Sequence, residues 1–299
     1  MALVVTGQDL NFAVDPTCRE LFLDIAIFCE SIICCRFSPI QKKMALMLIK
    51  ESVEDTTTLA IGDGANDCPM IKAADVGVGI IGKEGMQAAN NADFTIGEFS
   101  HLTRLLFVHG AESHRRTCNT IHFCYYKNMV FNTISFYYNY MNLFTSTVLF
   151  SKFHMALFNT FYSSLPPFCF GIFDQSCSLE AQCNVPYLYE STRKSSLFSF
   201  RRFFIWFLNG ILHSCILFFS CYALCSKGVI SLDGTPISTA LFGNILFLHV
   251  LIVITAKACL GMRYWCWLSY IGISVGPITF LFLLTIASRR LPTKIWYEP

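Results

Sequence analysis

The sequence predicts a two-part chain: an α/β region of the doubly wound, parallel-sheet kind over residues 1–115, then over 116–299 an all-α, multi-pass transmembrane region. Three observations predict it. Of the 299 residues 54% are hydrophobic and only 14% charged, against about 25% charged in an ordinary soluble domain. Most of the acidic residues precede position 115, so the two parts face different surroundings. Short apolar runs alternate with helical patterns in the first part, whereas the second strings together stretches of about 20 largely apolar residues, each able to cross a hydrocarbon core about 30 Å thick.

In the first part ALVV (2–5), IICCR (32–36), TTLAIG (57–62), VGVGI (76–80) and DFTI (93–96) read as strands, since continuous apolar runs suit a parallel sheet buried on both faces. Between them one helix is predicted from Pro16 to Glu30, another from Pro39 to about Lys50, and a third opening near Asn66. The Pro39 helix has the clearest start, with Ser38 as N-cap, proline at the first helical position and Gln41 as capping-box partner. This β/α alternation places ligands at the carboxyl ends of the strands. The opening MALVVTGQDL is too short an apolar run for a signal peptide, so insertion is expected from internal spans.

The second part offers five spans, 123–150, 155–174, 203–225, 241–260 and 264–287. A buried helical domain is the competing reading, but these stretches hold too few polar residues to cover its outside. With the first part cytosolic, Arg115, Arg116, Arg193, Lys194, Arg201, Arg202, Lys257 and Arg263 fall on the cytosolic side, and Lys152, Lys227, Arg289, Arg290 and Lys294 on the other. The Lys and Arg bias favours this orientation. Five spans also put the C-terminus opposite the N-terminus, leaving a basic tail outside, against that bias.

A net charge of +2 argues against a nucleic-acid partner, because phosphate binding needs Lys and Arg concentrated on one face. The 15 cysteines, Cys34, Cys35, Cys124, Cys215, Cys221 and Cys225 among them, form no CxxC pair and no zinc spacing with histidine. They read as small apolar fillers. The seven histidines, including His101, His109, His213 and His249, form no cluster.

Chemistry concentrates in TLAIGDGANDCPMIKAADVGVGIIG (58–82). Asp63 follows the apolar run with only Gly62 between, in the loop where an α/β sheet presents its ligands, and Asp67 opens the next helix. Carboxylates so placed reach one cation. Magnesium suits them, because it prefers oxygen, keeps several waters and takes one or two protein carboxylates beside a phosphate. Gly62 and Gly64 permit the sharp turn, and Asn66 orients a neighbour or a phosphate oxygen. An ordinary polar turn with Asp67 as helix cap is the alternative, better suited to GDG alone than to GDGAND after an apolar strand. Gly77, Gly79 and Gly82 also satisfy the dinucleotide-binding G-x-G-x-x-G pattern, yet the first strand–helix unit, where that fingerprint belongs, is elsewhere; a tight turn accounts for them better. Lys42, early in the Pro39 helix, is placed to neutralise a phosphoryl group, although Lys42 and Lys43 equally read as a solvated helix face.

CCRFSPIQK (34–42), the stretch 58–89, LLFVHG (105–110), YYKN (125–128) and LFNTFYSSLPPFCFGIFDQSC (157–177) together resemble the class-IV P-type ATPases, the phospholipid flippases, and most of all their aminophospholipid-transporting branch. The resemblance covers nearly the whole chain. It implies that the first part is the C-terminal portion of a phosphorylation domain of the haloacid-dehalogenase-like fold, joined to five of the ten family helices. It also implies magnesium as cofactor, ATP as substrate of the complete enzyme, and an aminophospholipid such as phosphatidylserine moved toward the cytosolic leaflet. An accessory β-subunit and a plasma-membrane or Golgi/endosomal location are implied as well. By matching motif, Asp63 resembles the magnesium-binding aspartate, with Asn66 and Asp67 completing its loop. Lys42 resembles the lysine that contacts the phosphorylated aspartate, and Arg36 a basic neighbour on the nucleotide side. Lys127 and Asn128 resemble the pair in the first span that lines or controls the lipid path, and Asn159 a polar residue of the next span on it. A lysine deep in a span costs about 2.5–3.5 kcal/mol on insertion scales and so faces protein or a watery cavity; Lys127, near a span end, is also placed to snorkel. Asn132, Asn139 and Asn142 suit helix packing, and Pro166 and Pro167 break the second span, freeing carbonyls where a headgroup is recognised.

The family pattern is not met throughout. No DKTG occurs, and Asp233 in DGTP falls in a predicted external loop, so the aspartate that accepts phosphate is not among these residues. Nucleotide-binding and actuator domains, the first four spans and the tenth are also unmatched, and Cys68 and Pro69 replace other small residues of the loop. The chain alone is expected to be inactive toward ATP. One rival class is a catalytically inactive truncated protein that regulates or competes with a full-length flippase. Another is a membrane-tethered phosphatase, but DPT (15–17) and DTT (55–57) lack the glycine–threonine that should follow a nucleophilic aspartate.

Overall fold

The computed structural model describes residues 1–82, 85–194, 196–226 and 237–290, so Lys227, Asp233 and Lys294 lie outside the described residues. Two compact units divide the chain, Met1–Leu105 and the remainder from Leu106.

In the first unit β1 (Ala2–Thr6), α1 (Gly7–Val14), α2 (Arg19–Phe28), β2 (Ser31–Cys35), α3 (Pro39–Ser52), β3 (Leu59–Gly62), α4 (Cys68–Ala73), β4 (Val76–Ile80), α5 (Gln87–Asn90), β5 (Phe94–Ile96) and α6 (His101–Arg104) follow in order. Every strand pairing is parallel. The expected doubly wound sheet is divided, however, into a β1–β2 pair and a β3–β4–β5 sheet. Val4, Ile33 and Phe94 are exposed, so these strands are not covered on both faces as the apolar runs predict. The capping box of α3 forms as read: Ser38 Oγ accepts the Gln41 N–H at 3.3 Å and Gln41 Oε1 accepts the Ser38 N–H at 2.9 Å. The helix expected from Pro16 starts only at Arg19, because the Thr17 N–H and hydroxyl turn back to Asp15 Oδ1 at 3.0 and 2.7 Å. Helix α1 is not among the elements the sequence predicts; Thr6 and Asp9 cap it reciprocally.

Beyond the π-helical turn Leu105–Gly110 come α7 (Ala111–Met141), α8 (Lys152–Leu157), a second π-helical turn Phe158–Tyr162, α9 (Leu165–Ile172), α10 (Leu179–Asn184), the 3-10 turn Pro186–Tyr189, α11 (Glu190–Arg193), α12 (Phe200–Ser226), α13 (Thr239–Gly261) and α14 (Trp267–Arg290). Among the described residues three segments, Phe200–Cys225, Thr239–Gly261 and Trp267–Ile286, are long and apolar enough to cross a membrane. On α12 a row of apolar side chains from Phe204 through Leu208 and Leu212 to Ile216 faces outward, as hydrocarbon surroundings require. This is a multi-pass membrane unit. The stretch 123–150 is helical only to Met141, where the Asn142 N–H returns to Tyr138 and Leu143, Phe144 and Ser146 take φ of 52°, 55° and 62°. The stretch 155–174 is divided among α8, the π turn and α9.

Helix α7 runs along α12 and against α9, and α14 packs on α9 and α13. Their shared core is aromatic: Phe131 stacks on Phe158 at 4.2 Å and on Phe150 at 5.0 Å, and Phe247 on Phe280 at 4.9 Å. Pro166 and Pro167 have no N–H, so the carbonyls of Tyr162 and Ser163 lose their helical donors. The Tyr162 oxygen sits in the notch left by Gly276 of α14, where a Cβ would come within 2.0 Å of it. Close backbone approach is why position 276 takes glycine.

Candidate functional site

In the first unit, Gly62 ends β3 and hands the chain to the Asp63–Asp67 loop. The Lys42 Nζ, carried by the first turn of α3, donates to Asp67 Oδ1 at 2.6 Å. Asp67 is 9% exposed and packs on Gly62, where a Cβ would lie 2.4 Å from its own. Asp63 is exposed and engages no protein partner among the described residues. Lys42, Asp63 and Asp67 line one pocket of about 570 Å³ at the carboxyl ends of the strands, with Cys34, Ile80 and Phe99 also on its wall. Asn66 and Arg36 are exposed and stand outside that lining; Arg36 holds a φ of 55° just after β2. Among the described residues no three His, Cys, Asp or Glu side chains come together as metal ligands. The donor set is thus one free carboxylate and one shared with Lys42. Both are hard oxygens, which fits a magnesium ion that completes its shell with water and phosphoryl oxygens.

In the second unit the notable group is Lys127, 5% exposed in the middle of α7. Its ammonium donates to Asn159 Oδ1 at 3.1 Å, to Ser163 O at 3.1 Å and to Ser163 Oγ at 2.9 Å. Those three bonds use all three of its protons. Every acceptor is neutral, and no carboxylate pairs with it among the described residues. Asn128, beside it, is half-buried, and its side chain makes no hydrogen bond among the described residues. Lys127 and Asn159 are therefore brought together, and Asn128 is not joined to them. Neither carbonyl freed by the prolines is open to a headgroup: Ser163 O is taken by Lys127, and Tyr162 O faces Gly276.

A second polar cluster of this unit joins residues that stand far apart in the sequence. Asp174, fully buried, accepts from Arg115 at 2.7 Å and from the backbone N–H groups of Arg263 and Tyr264 at 2.9 and 3.1 Å. Its own carbonyl accepts from Arg116 Nε at 2.6 Å. Arg115 also pairs with Glu112 at 2.8 Å, and Glu112 accepts from Gln182 Nε2 at 2.6 Å and from the Ser176 hydroxyl. Burial alone would raise the Glu112 pKa, but the bonds from Arg115 and Ser176 and the Arg115 charge outweigh it and hold it below the usual glutamate value. The beginning of α7, the segment after α9 and the α13–α14 connection are thereby fastened at one end of the unit. A charged residue directly after an apolar run, in FDQSC, is the signal that would have found it.

A helical unit with several segments long and apolar enough to cross a membrane defines a class, the polytopic membrane proteins. Within it the chain belongs to the phospholipid-translocating P-type ATPases, since residues 89–298 match the family described as phospholipid-translocating P-type ATPase C-terminal. It is 38% identical over 265 residues to phospholipid-transporting ATPase C887.12 of Schizosaccharomyces pombe, covering 89% of this chain and 21% of that protein. Phospholipid-transporting ATPase 10 of Arabidopsis thaliana is 36% identical over 282 residues, 94% of this chain and 23% of that one. Phospholipid-transporting ATPase DRS2 of Saccharomyces cerevisiae is 35% identical over 293 residues, 98% and 22%. The chain thus spans 21 to 23% of the length of these relatives.

Proposed function

We propose that these residues form the C-terminal portion of an ATP-driven flippase that moves an aminophospholipid, such as phosphatidylserine, toward the cytosolic leaflet. The observation that carries this reading is Lys127, a cation buried between α7 and the broken segment and matched only by neutral oxygens. A charge that is costly to bury is kept where an anionic ligand group compensates it. The phosphodiester common to such lipids, or the serine carboxylate, is that group, with Asn128 and Asn159 as polar neighbours on the path. In this reading residues 1–115 belong to a phosphorylation domain of haloacid-dehalogenase-like fold and residues 116–299 supply five spans. An accessory β-subunit is the partner, and the plasma membrane or Golgi/endosomal membranes the location.

On the cytosolic side Asp63 and Asp67 would hold magnesium, which when bound offsets charge on a phosphoryl group. Asp67 aims the Lys42 ammonium at that group, and Lys42 then neutralises a transferred oxygen. Asn66 and Arg36 stand on the nucleotide side. The aspartate that takes the phosphate must come from outside these 299 residues, which contain no DKTG. The isolated chain therefore forms no acid-stable phosphoenzyme from ATP, and acts alone only as a regulator or competitor of a complete pump.

The test uses a complete pump carrying this segment, reconstituted with graded phosphatidylserine. Lys127→Ala removes charge-assisted hydrogen bonds of about 1.5–3 kcal/mol, so the lipid concentration for half-maximal ATPase stimulation should rise at least about tenfold. Phosphoenzyme formed from ATP should remain near wild type. Equal loss of both would reassign Lys127 to folding and sink the reading.

A further inference from the structure

We propose that Ser163 is the positioning residue for Lys127, so that the serine before the two prolines sets where the pathway cation points; this rests on the lipid-path reading above. Ser163 meets the ammonium twice, through its carbonyl at 3.1 Å and its hydroxyl at 2.9 Å. Each contact has a separate structural cause. The carbonyl is available because Pro167, four residues on, has no N–H to donate to it. The hydroxyl is aimed because its own proton goes to the Phe158 carbonyl at 2.7 Å, which leaves its lone pairs toward Lys127. Phe158 O also receives the Ser163 N–H at 3.0 Å, the bond that closes the π-helical turn, so residue 163 is fixed in backbone and side chain together.

Asn159 supplies the third acceptor but is itself exposed, whereas Ser163 is 1% exposed. The geometry thus divides the labour. Ser163 holds the ammonium from the protein side, and the Asn159 contact, on the open side, is the one an anionic lipid oxygen would replace. Two neutral acceptors are strong enough to orient a cation without neutralising it, so its charge stays available to the ligand. A carboxylate in place of Ser163 would satisfy the cation permanently.

The experiment is a double-mutant cycle in the complete pump. Ser163→Ala removes one acceptor and the aiming contact, and should raise the half-maximal phosphatidylserine concentration by roughly fivefold with lipid-independent phosphoenzyme unchanged. Ser163→Thr keeps the hydroxyl and should stay within about twofold of wild type. Combined with Lys127→Ala, Ser163→Ala should add nothing further, because the group it positions is gone. An unchanged half-maximal concentration in Ser163→Ala, or effects that multiply in the double variant, overturns the proposal. Should Lys127→Ala itself leave lipid dependence untouched, the lipid-path reading fails while the positioning claim is decided by detergent melting temperatures of the same four proteins. Non-additive shifts there uphold the Ser163–Lys127 unit, and additive shifts remove it.

Discussion

Asp63 and Asp67 sit four residues apart and are in different electrostatic states. Asp67 is committed to Lys42 at 2.6 Å, whereas Asp63 is exposed and unpaired among the described residues. Substituting the free carboxylate should therefore hit metal dependence, and substituting the committed one should mainly release Lys42. In a complete pump Asp63→Asn is expected to lower phosphoenzyme yield about 10²-fold at ordinary magnesium, measured as acid-stable label from ATP over a magnesium titration. Recovery at normal magnesium would exclude Asp63 from the metal site. Asp75 offers a pH readout in the same unit. Lys50 at 2.6 Å and the Thr58 N–H and hydroxyl hold its pKa at about 2, below its ordinary 3.8. Because the folded value is the lower one, its contribution is present above about pH 4 and disappears as pH falls toward 2. Protection of the Thr58 amide, its exchange rate set against the intrinsic rate at each pH, should fall across that window, and in Asp75→Asn it should be low and flat; an unaltered protection profile in the variant would place the pH effect elsewhere. What could be read at this scale was residue identity within a motif. The Lys42–Asp67 pairing was not legible, because it joins positions 25 apart that only the fold makes neighbours.

Elements were legible where local chemistry decides them. Ser38, Pro39 and Gln41 announce α3 because capping is a matter of residues three apart. Helix α1 escaped because its box uses Asp9 where Glu or Gln is the usual partner and because it follows β1 without an intervening residue. The end of α7 carries no Gly or Pro to mark it; Leu143, Phe144 and Ser146 adopt positive φ, which those residue types do not announce. The proline break was visible in LPP, but where its orphan carbonyls go was not, since Lys127 and Gly276 lie far away in sequence. Gly276 yields the prediction at this scale. A methyl there would sit 2.0 Å from Tyr162 O, so Gly276→Ala must push α14 off the broken segment. Overpacking of this kind costs about 1–3 kcal/mol, and the melting temperature of the detergent-solubilised protein should drop accordingly. Gly171→Ala is the control, because the nearest atom to its added methyl is Thr120 Oγ1 at an ordinary 3.5 Å. Equal melting of the two variants would mean that the Tyr162 contact does not set helix spacing.

At the scale of the membrane unit, the Asp174 cluster bears on a question that hydropathy leaves open, whether α7 and the segment from α8 to α9 also cross. Hydropathy and length single out α12, α13 and α14 as crossing segments. It passes over α7, which carries Lys127, Asn128, Asn132 and Asn139, and the segment from α8 to α9, which is broken. Yet Arg115 near the start of α7, Asp174 just after α9 and the Arg263 N–H between α13 and α14 meet at a single point. If α13 and α14 cross hydrocarbon, their connection lies at one membrane face, and so do the beginning of α7 and the end of α9. If the chain leaves that face along α7 and returns through α8 and α9, the turn at Leu143–Ser146 lies at the opposite face. Counted on from there, α12 leaves, α13 returns and α14 leaves again, which gives five passes and agrees with the clustering of Arg115, Arg116, Arg201, Arg202, Lys257 and Arg263 toward one side. An epitope tag inserted between Thr145 and Ser146 should be protected from protease added on the cytosolic side of sealed vesicles, and one inserted between Cys177 and Ser178 should be cleaved. Cleavage of both would show that α7 does not traverse the bilayer. In that case Lys127 would be a juxtamembrane cation and not an intramembrane one.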